Sequence, residues 1–422
     1  MNFVITGLIV YFALELIAIL LYTPRFSMWF KGYKKQPTLY NPNKAKFAVI
    51  IPARDESKAI GMLLGSINRQ TYPKDKFDVH VIVDSESDPT IDMVKKDLQG
   101  AFVHVVKNQT RKAEALDGCL KKLIEEKKFE YDDIIIVDAD CFLADNFLEE
   151  MNNALVSGAK VIIPRKSVKN WESKNKKNKN LMCNCGGMTY VGIDTMGNKE
   201  KNKKGQTLAL CGQGMLINAE LIKSWNGYPF RSLIEDYEVS VECMRHDYKQ
   251  FYYEHAVLYS EEAISHKEFN KRRMRWLKGF AQVTKIYNKE VTEITFKQGK
   301  VKKENLMFLY GLVPIYMIFV IHGIGFAYFL VASIVLGAMG NPLWLTSLIF
   351  MFVVLGFCYI QLTIFSLLCV TQDKDINKMT KWDKVKFVLL YPLIMLEYAY
   401  IFIIAFMKTF DGTWEKIERI EI

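Results

Sequence analysis

The sequence has few cysteines, and their spacing is not that of a metal site or of a disulfide scaffold. Eight are scattered over 422 residues without a repeating interval. The nearest two, Cys183 and Cys185, have a single residue between them, which is closer than the usual spacing of paired zinc ligands. These absences argue against a zinc domain and against a disulfide-stapled secreted domain. We therefore expect free thiols in a reducing, cytosolic compartment.

The residues around the first apolar stretch do not favour a signal peptide. No basic residue precedes the first apolar stretch, residues 4–22, and no small-residue cleavage site is evident. Only Glu15 interrupts this stretch, whose length matches that of a bilayer core. A transmembrane helix is therefore favoured over a signal peptide. The basic residues that follow it are Arg25, Lys31, Lys34 and Lys35. By the positive-inside rule they predict that the next domain is cytosolic.

Three further apolar stretches cover residues 306–339, 343–370 and 388–407. The segment between the last two carries five lysines, which again predicts the cytosolic side. Three simple crossings after a cytosolic domain would leave the charged C-terminal tail outside. The first of these stretches is too long for one untilted span and too short for two, so a re-entrant or interfacial segment is an alternative. The sequence leaves the side of the C-terminus open.

These stretches divide the chain into four parts. The predicted parts are a transmembrane helix (1–24), a soluble domain (45–300) with an interfacial end near 265–300, a region of about three hydrophobic segments (305–410) and a tail (411–422). Half of the residues are hydrophobic, so the chain suffices for one large soluble domain and several spans. The net charge of +10 suits contact with anionic lipid or with phosphorylated ligands.

The soluble part alternates short apolar runs with helix-like segments. The predicted strands lie at 47–52, 77–88, 102–106 and 133–140, and the predicted helices at 57–69, 91–98 and 112–128. This alternation predicts an α/β fold with a parallel sheet and helices on both faces. Ligands of such sheets bind at the carboxyl ends of the strands. Polar residues stand at those ends, among them Asp84, Asp138 and Asp140.

Asp138 and Asp140 indicate a cation site. Asp138 follows three isoleucines and a valine, where solvation alone gives no reason for a carboxylate. Two carboxylates with one residue between them can both reach Mg²⁺ or Mn²⁺, and substrate phosphates usually complete the shell of such ions. The alternative is an ordinary turn at the end of a strand, in which aspartate is common.

Two other segments have a functional and a plain interpretation. Lys112 stands near the N-terminus of a predicted helix, where a cation and backbone amides together favour a phosphate. A solvated lysine is the alternative. Gly212 and Gly214 interrupt a β-like run, which indicates either the close approach of a ligand to the backbone or a bulge.

An acidic pair and a basic run complete the set of candidates. Glu235 and Asp236 begin a predicted helix, where they either favour the helix dipole or supply a general base for an acceptor hydroxyl. The basic run 271–278 contains Arg275 and Trp276. This run is either an amphipathic membrane-surface segment or a group that faces a departing diphosphate, with the indole on a sugar or holding the loop.

The order of these motifs resembles that of the membrane-embedded family 2 glycosyltransferases, which include hyaluronan, cellulose, chitin and poly-N-acetylglucosamine synthases. The matching segments are VIIPARDES, VDSESD, RKAEALDG, DAD, CGQG, IED and RRMRW, in the order of the family, over about residues 45–280. Each motif alone is weak evidence, but seven in sequence are a strong signal. The membrane segments on both sides also fit.

This resemblance implies a GT-A (Rossmann-like) fold and an inverting, metal-dependent transfer from a UDP-sugar, with Mg²⁺ or Mn²⁺ as the cofactor. It implies Asp236 as the base that activates the acceptor hydroxyl and Glu235 as its support. It places Asp84 at the uridine, and Asp138 and Asp140 at the metal. The implied donor-binding residues are Ala53, Glu56, Asp84, Lys112, Asp138, Arg275 and Trp276. The implied acceptor gate consists of Gly212, Gln213 and Gly214.

Three positions depart from the pattern of the family. Arg272 stands where the polymerising synthases usually carry glutamine, and here the sequence is more similar to ceramide glucosyltransferase and its bacterial relatives. The motif after the second strand reads Asp-Ser-Glu in place of Asp-Asp-Gly. Arg111 stands where a glycine usually precedes the lysine. The first departure leaves open whether transfer is processive.

The expected function is therefore β-linked polysaccharide synthesis with export across the plasma membrane, by a multi-pass protein whose catalytic domain is cytosolic. One alternative is the transfer of a single sugar to a lipid acceptor. Another, from a different class, is an inactive sugar-nucleotide-binding subunit of an export complex. The expected partners are a UDP-sugar, a sugar polymer or lipid acceptor, and membrane lipids. No nucleic-acid partner is expected, and the sequence does not indicate an oligomeric state.

Overall fold

The computed structural model describes residues 2–31, 33–297, 313–372 and 378–407. The predicted tail at 411–422 and the beginning of the apolar stretch predicted at 306–339 lie outside the described residues.

An eight-stranded mixed sheet forms the centre of the soluble part. The strands are β1 (Phe47–Pro52), β2 (Phe77–Val83), β3 (Phe102–Val105), β4 (Asp133–Ile136), β5 (Phe142–Leu143), β6 (Val161–Val168), β7 (Met215–Asn218) and β8 (Gln250–Ser260). Their spatial order is β3-β2-β1-β4-β7-β6-β8-β5.

Helices cover the sheet and continue into the membrane-type region. They are α1 (Asn2–Lys31), α2 (Ile60–Asn68), α3 (Thr90–Asp97), α4 (Lys112–Glu125), α5 (Phe147–Ala154), α6 (Leu181–Ile193), α7 (Lys199–Lys203), α8 (Ala219–Ser224), α9 (Glu235–Arg245), α10 (His266–Lys297), α11 (Val313–Ala338), α12 (Leu343–Gln372) and α13 (Lys381–Met407). A π-helical turn, Asp194–Asn198, joins α6 to α7.

The first four strands are mutually parallel, as the alternation of strands and helices predicts. β1 pairs with β2 and β4, and β2 pairs with β3, all in parallel. Successive side chains of β1 enter opposite cores because strand side chains alternate between the two faces. Val49 packs in the core that contains α2, and Ile50 packs in the core that contains α4. This burial on both faces is the reason that β1 reads as a continuous apolar run.

The other half of the sheet is not purely parallel, which corrects the expectation of a parallel sheet. β7 runs antiparallel to both β4 and β6, and β5 runs antiparallel to β8. β7 begins beside the end of β4, since the amide of Gly214 donates to the carbonyl of Ile136 at 2.8 Å. The antiparallel entry therefore brings the glycine-rich segment before β7 to the carboxyl edge of the first four strands.

Among the described residues, three helices are long and apolar enough to cross a membrane. The qualifying segments are Phe3–Leu20 in α1, Val320–Ala338 in α11 and Leu343–Gln372 in α12. The fourth predicted stretch forms α13, which contains Pro392. That α13 crosses a membrane stays a prediction, as does the sidedness of the whole region.

A polar cluster lies between α1, α11 and α12, and we call it the bundle cluster. His322 Nδ1 lies 2.9 Å from the hydroxyl of Tyr11 and 3.3 Å from Oε1 of Glu15. Gln361 donates to Glu15 Oε2 at 3.3 Å, and its amide oxygen lies 3.2 Å from His322 Nε2. Glu15 and His322 are almost completely buried. Such pairing is what an ionisable residue inside an apolar bundle requires.

Buried side chains also join the soluble part to this region. One core contains Met188 of α6 and Met196 of the π-helical turn together with Cys369 of α12 and Phe387 of α13. The Met196 and Cys369 sulfur atoms lie 3.6 Å apart. The soluble part and the membrane-type helices are therefore packed directly against each other.

Candidate active site

The loops after β1, β2 and β4 meet at the carboxyl edge of the sheet. Arg54, after β1, lies with its Nε 3.7 Å from Oδ2 of Asp84, after β2. The Arg54 guanidinium also donates to the carbonyl of Gln109 at 3.0 Å, so it connects the β1 loop to the segment before α4. Asp84 therefore lies at the edge, as the sequence predicts, with an arginine beside it.

Ala53 and Glu56 are fixed parts of the loop that follows β1. The amide of Ala53 continues the sheet by donating to the carbonyl of Ile82 at 2.8 Å. The amide of Glu56 donates to the hydroxyl of Thr90 at 3.0 Å. Both residues are buried. Backbone contacts hold this loop rigidly, and contact of either residue with a donor stays a prediction.

Lys112 is the central cation of the edge. It is the first residue of α4, whose N-terminus is closed by Glu114, since that carboxylate accepts from the amides of Thr110 and Arg111 at 2.6 and 3.2 Å. The Lys112 ammonium lies 2.5 Å from Oδ1 of Asp138 and 3.6 Å from Oε1 of Glu235. It therefore joins the end of β4 to the start of α9.

The two acids also decide the protonation of Lys112. Burial alone lowers the pKa of an ammonium, but the carboxylates of Asp138 and Glu235 outweigh it and raise the pKa above its ordinary value. Lys112 thus remains a cation at neutral pH. Burial raises the pKa of Glu235 to about 7, with a further increase from the neighbouring Asp236 and an opposing decrease from Lys112.

Asp236 is held by backbone amides. Its Oδ2 accepts from the amide of Gly212 at 2.6 Å, and its Oδ1 accepts from the amide of Tyr237 at 2.9 Å. A Cβ at Gly212 would lie 3.0 Å from the Lys112 ammonium and 3.5 Å from Asp236 Oδ2. A side chain would therefore intrude between the cation and the carboxylate, and this close approach explains the glycine.

The rest of the predicted gate also requires its residue types. Gly214 has φ +73°, a backbone conformation that side chains disfavour, and a Cβ there would lie 2.7 Å from Pro164. Within the part of the chain that the structure describes, the buried amide oxygen of Gln213 has no hydrogen-bond partner. An unsatisfied buried acceptor in this loop is a place where a ligand donor would be stabilised.

The predicted metal ligands, Asp138 and Asp140, lie just after the end of β4. Asp138 has one oxygen on Lys112, and Asp140 is buried, with the Cys141 sulfur 3.6 Å from its Oδ1. Over the ranges that the structure covers, no group of three histidine, cysteine or acidic side chains is arranged to hold a metal ion. Mg²⁺ and Mn²⁺ at nucleotide sites need only one or two carboxylates, because phosphates supply the other ligands. The two aspartates fit that donor set.

The basic run lies in α10, beside the acidic pair. Gly279 of α10 packs against Ile234, and the amide of Leu233 donates to Gln282 at 3.1 Å. Arg275 lies one turn before Gly279, hence on the same side of the helix. No partner of the buried Arg275 Nε is found among the described residues. This arrangement is compatible with the predicted place of Arg275 at a diphosphate.

Trp276 contacts an arginine and a tyrosine side chain. The Arg273 guanidinium lies 4.3 Å from the centre of its ring, and the ring of Tyr190 lies edge-on at 6.1 Å. The edge-on contact with Tyr190 thus links α10 to α6, and the cation–π contact with Arg273 lies within α10. Contact of Trp276 with a donor or an acceptor stays a prediction.

The sequence reasoning missed an acid–base pair near the start of α10. Glu262 lies with its carboxylate 3.7 Å from Arg272, which also donates to the carbonyl of Glu261 at 2.7 Å. Burial raises the pKa of Glu262, and the nearby Asp140 raises it further, against the lowering effect of Arg272 and Arg273. The signal was available, since two consecutive acids follow the apolar strand β8.

Comparisons with known proteins address the family and the fold. The family described as glycosyltransferase like family 2 matches residues 42–279, which is more than half of the chain. No curated protein sequence matches significantly. A solved structure of the mannosyltransferase PcManGT from Pyrobaculum calidifontis, in complex with GDP-Man and Mn²⁺, is similar over 91% of this chain and 98% of its own, with 17% identity and a TM-score of 0.51.

Two structures of TarS from S. aureus show weaker similarity. The first is 16% identical over 59% of this chain and 40% of its own, with a TM-score of 0.37. The second, of residues 1–349, is 15% identical over 84% of this chain and 91% of its own, with a TM-score of 0.41. The family match and the similarity to PcManGT show that the fold is that of GT-A glycosyltransferases.

Proposed function

The chain belongs to glycosyltransferase like family 2, and on that basis we propose that it is a membrane glycosyltransferase that moves a sugar, with inversion, from a UDP-sugar to a growing polysaccharide. One observation carries the proposal. Asp138 at the end of β4 and Glu235 at the start of α9 contact the same ammonium of Lys112, and Asp236 lies beside them. Segments far apart in the sequence thus converge on one edge of the sheet.

In this proposal Lys112 binds the diphosphate of the donor. A cation at the first residue of α4, where the positive end of the helix dipole lies, suits a phosphate group. Its present partners, Asp138 and Glu235, keep it protonated before the donor arrives. Arg275 and Asp84 are the further donor contacts, at the diphosphate and at the uridine. Negative charge that develops on the leaving diphosphate is then stabilised by cations already in place.

Asp236 is the proposed general base. The acceptor hydroxyl oxygen forms a bond to the anomeric carbon while the bond from that carbon to the diphosphate oxygen breaks. The hydroxyl proton passes to the Asp236 carboxylate, and the diphosphate leaves with the electron pair. The amides of Gly212 and Tyr237 fix the orientation of the carboxylate. Such orientation is what makes a single displacement efficient.

Asp138 and Asp140 are the proposed ligands of Mg²⁺ or Mn²⁺. When bound together with the donor, such an ion neutralises charge on the diphosphate. The two aspartates stand after β4 with a single residue between them, and hard oxygen donors of this kind suit both ions.

The acceptor is the less constrained part of the proposal. Several apolar helices packed against the soluble part favour a polymer that is exported as it grows. Arg272 favours the second candidate, the transfer of one sugar to a lipid, because an arginine at this position resembles ceramide glucosyltransferase and its bacterial relatives. Its guanidinium is held by the carbonyl of Glu261 and the carboxylate of Glu262. Product length distinguishes the two candidates.

The test is a donor screen with the full-length protein in lipid nanodiscs. UDP-glucose, UDP-N-acetylglucosamine and GDP-mannose would be offered with Mn²⁺ or Mg²⁺, and the release of nucleoside diphosphate and the length of the product would be measured. We expect turnover of a UDP-sugar and a ladder of long products. A product that carries a single added sugar on a lipid would support the second candidate in place of polymer synthesis. Release of no nucleoside diphosphate from any donor, despite binding, would favour an inactive subunit.

A further inference from the structure

The loop that orients Asp236 is held mainly by side chains. We call residues 209–214 the gate loop. The amide and the carbonyl of Ala209 both bind the side chain of Asn198. The amide of Leu210 donates to the hydroxyl of Ser240 at 3.0 Å, and the amide of Gly212 donates to Asp236 at 2.6 Å. These few polar contacts, together with the backbone bond from Gly214 to Ile136, fix the position of the loop.

Asn198 makes the most extensive of these contacts. Its Oδ1 accepts from the amide of Ala209 at 2.9 Å, and its Nδ2 donates to the carbonyl of Ala209 at 2.9 Å and to Oδ1 of Asp194 at 3.1 Å. The side chain thus pairs with Ala209 as a neighbouring strand would. Asn198 is completely buried, so truncation would leave both backbone groups of Ala209 without a partner or with a trapped water.

A second tie runs from the same turn to the gate loop. Lys166 of β6 lies 3.3 Å from Oδ2 of Asp194, and its ammonium also hydrogen-bonds the side chain of Cys211. Asp194 and Asn198 are the first and last residues of the π-helical turn. Turns of this kind are uncommon and occur frequently at functional sites. Both ends of the turn therefore hold the gate loop.

The other side of the turn rests on a membrane-type helix. Met196 contacts Cys369 of α12, with 3.6 Å between the sulfur atoms, and the ring of Phe365 of α12 packs against Gly192 just before the turn. A continuous set of contacts thus leads from α12 through the turn and the gate loop to Asp236. The packing of the bundle and the orientation of the carboxylate are structurally connected.

We propose that Asn198 is a positioning residue for the transfer reaction: it fixes the gate loop so that the amide of Gly212 holds Asp236 in its productive orientation. This inference rests on the proposed function, in which Asp236 is the base. Ala209 and Gly212 are three residues apart, so a shift at the first is transmitted directly to the second. Small displacements of a catalytic group reduce rate far more than they reduce binding.

The first test measures amide hydrogen exchange of the full chain in nanodiscs. Asn198→Ala is compared with Asn152→Ala, a matched control. Asn152 is also completely buried, and its side chain also binds backbone groups: the amide of Ala45 and the carbonyls of Asn43 and Asn41, at 3.1, 3.0 and 3.4 Å. Its contacts lie before β1, at the opposite edge of the sheet. We expect faster exchange over 207–214 in the first variant only.

The second test measures kcat per site that binds UDP, with the donor that the wild type turns over. Counting sites removes any loss of folded protein from the comparison. For Asn198→Ala we expect kcat to fall about 10- to 100-fold, while the KM for the donor stays within about threefold. For Asn152→Ala we expect both constants to remain near those of the wild type. Should Asn198→Ala yield no folded protein, Asn198→Ser is measured in the same way.

The outcomes separate this inference from the proposed function. Wild-type protein that turns over no donor would overturn the proposed function, and the exchange test would still decide whether Asn198 fixes the gate loop. Active wild type, with the two alanine variants alike in exchange over 207–214 and in kcat per site, would overturn the inference alone. A lower kcat of Asn198→Ala together with a large rise in its KM for the donor would also overturn the inference, because Asn198 would then act on donor binding.

Discussion

The molecule contains two clusters of charged side chains that are composed in opposite ways. At the carboxyl edge of the sheet, the carboxylates of Asp138, Glu235 and Asp236 surround the single ammonium of Lys112. In the bundle cluster, Glu15 is the only carboxylate, and histidine, tyrosine and glutamine side chains surround it. The edge cluster has three carboxylates for one ammonium, whereas the bundle cluster has one carboxylate that is surrounded by hydrogen-bonding side chains.

The two clusters also differ in the exposure of their side chains to solvent. The Lys112 and Asp138 side chains at the edge are 21% and 28% exposed, whereas Glu15 and His322 in the bundle are 1% and 6% exposed. A buried excess of like charge is unfavourable unless a ligand or a proton compensates for it. The edge cluster is therefore arranged to bind and react, and the bundle cluster to hold helices together. The following predictions test this contrast, from the largest expected effect to the smallest.

Replacement of the proposed base has the largest expected effect. Asp236→Asn keeps an acceptor for the amide of Gly212 but cannot take a proton, so we expect the rate of sugar transfer to fall about 10²–10⁴-fold. The thermal midpoint of unfolding should change little. Steady-state release of nucleoside diphosphate measures the first quantity, with Asp75→Asn, an exposed acid outside the site, as the control. A variant with the wild-type rate would remove Asp236 from the mechanism.

Removal of the central cation comes next. Lys112→Met leaves Asp138 and Glu235 without the ammonium between them, so UDP should bind about 10- to 100-fold more weakly, equivalent to roughly 1.4–2.8 kcal/mol. Isothermal titration calorimetry measures this affinity. Lys107→Met is a suitable control, because Lys107 is exposed and forms an ion pair with the exposed Glu86 at 3.5 Å. Equal loss of affinity in both variants would indicate a general charge effect in place of a specific site.

The buried charge of the edge cluster should also lower the free energy of unfolding, and Glu235→Gln measures by how much. The folded-state pKa of Glu235 is raised to about 7 by burial, so between pH 4.5 and 7 the folded protein holds a proton that the unfolded chain releases. Wild-type stability should therefore decrease as the pH rises through this window and level off above it. At pH 8 the variant should be more stable by about 1–3 kcal/mol.

Chemical denaturation at several pH values measures the free energy of unfolding of the soluble part, for the wild type and for the variant. Glu220→Gln serves as the control because the Glu220 carboxylate is largely exposed. Glu235→Gln should also reduce activity, since Glu235 supports Asp236 in the proposed site. If the stability of the variant equals that of the wild type at every pH, the Glu235 carboxylate does not destabilise the folded protein, which would contradict this prediction.

Removal of the carboxylate from the bundle cluster should lower stability, in contrast to its removal from the edge cluster. Glu15→Leu leaves His322 and Gln361 without their carboxylate partner, so we expect stability to fall by about 0.5–2 kcal/mol, while activity per folded molecule is retained. Steric-trap or thermal unfolding in detergent measures the loss. Leu16→Ala, at a position that is 58% exposed on the same helix, is the control. Greater stability of Glu15→Leu would show that the cluster is kept for another reason.

The parts of the fold that follow from local pattern were predictable. The apolar runs of β1 to β4 and the polar residues that follow them are contiguous in the sequence, so both this part of the sheet and its polar edge could be inferred. Glu235 and Asp236 at a helix start were also inferred, and that helix is α9.

Long-range pairing was not predictable in the same way. The gate loop is fixed by Asn198, which lies on an unremarkable polar segment, and no sequence pattern indicates that its amide binds Ala209. The antiparallel direction of β7 likewise depends on where the chain re-enters the sheet. In the bundle, Glu15 and Gln361 are 346 residues apart, so their contact follows only from the packing of helices.

The central claim is that Lys112, Asp138 and Asp236 form a single site for sugar transfer. A cryo-EM structure of the protein in nanodiscs with UDP and Mn²⁺ tests it most directly. The account predicts density for the diphosphate beside Lys112 and the Asp138–Asp140 segment, with the Asp236 carboxylate facing the space next to it. Density for UDP at another surface, with the edge cluster unchanged and empty, would contradict the account.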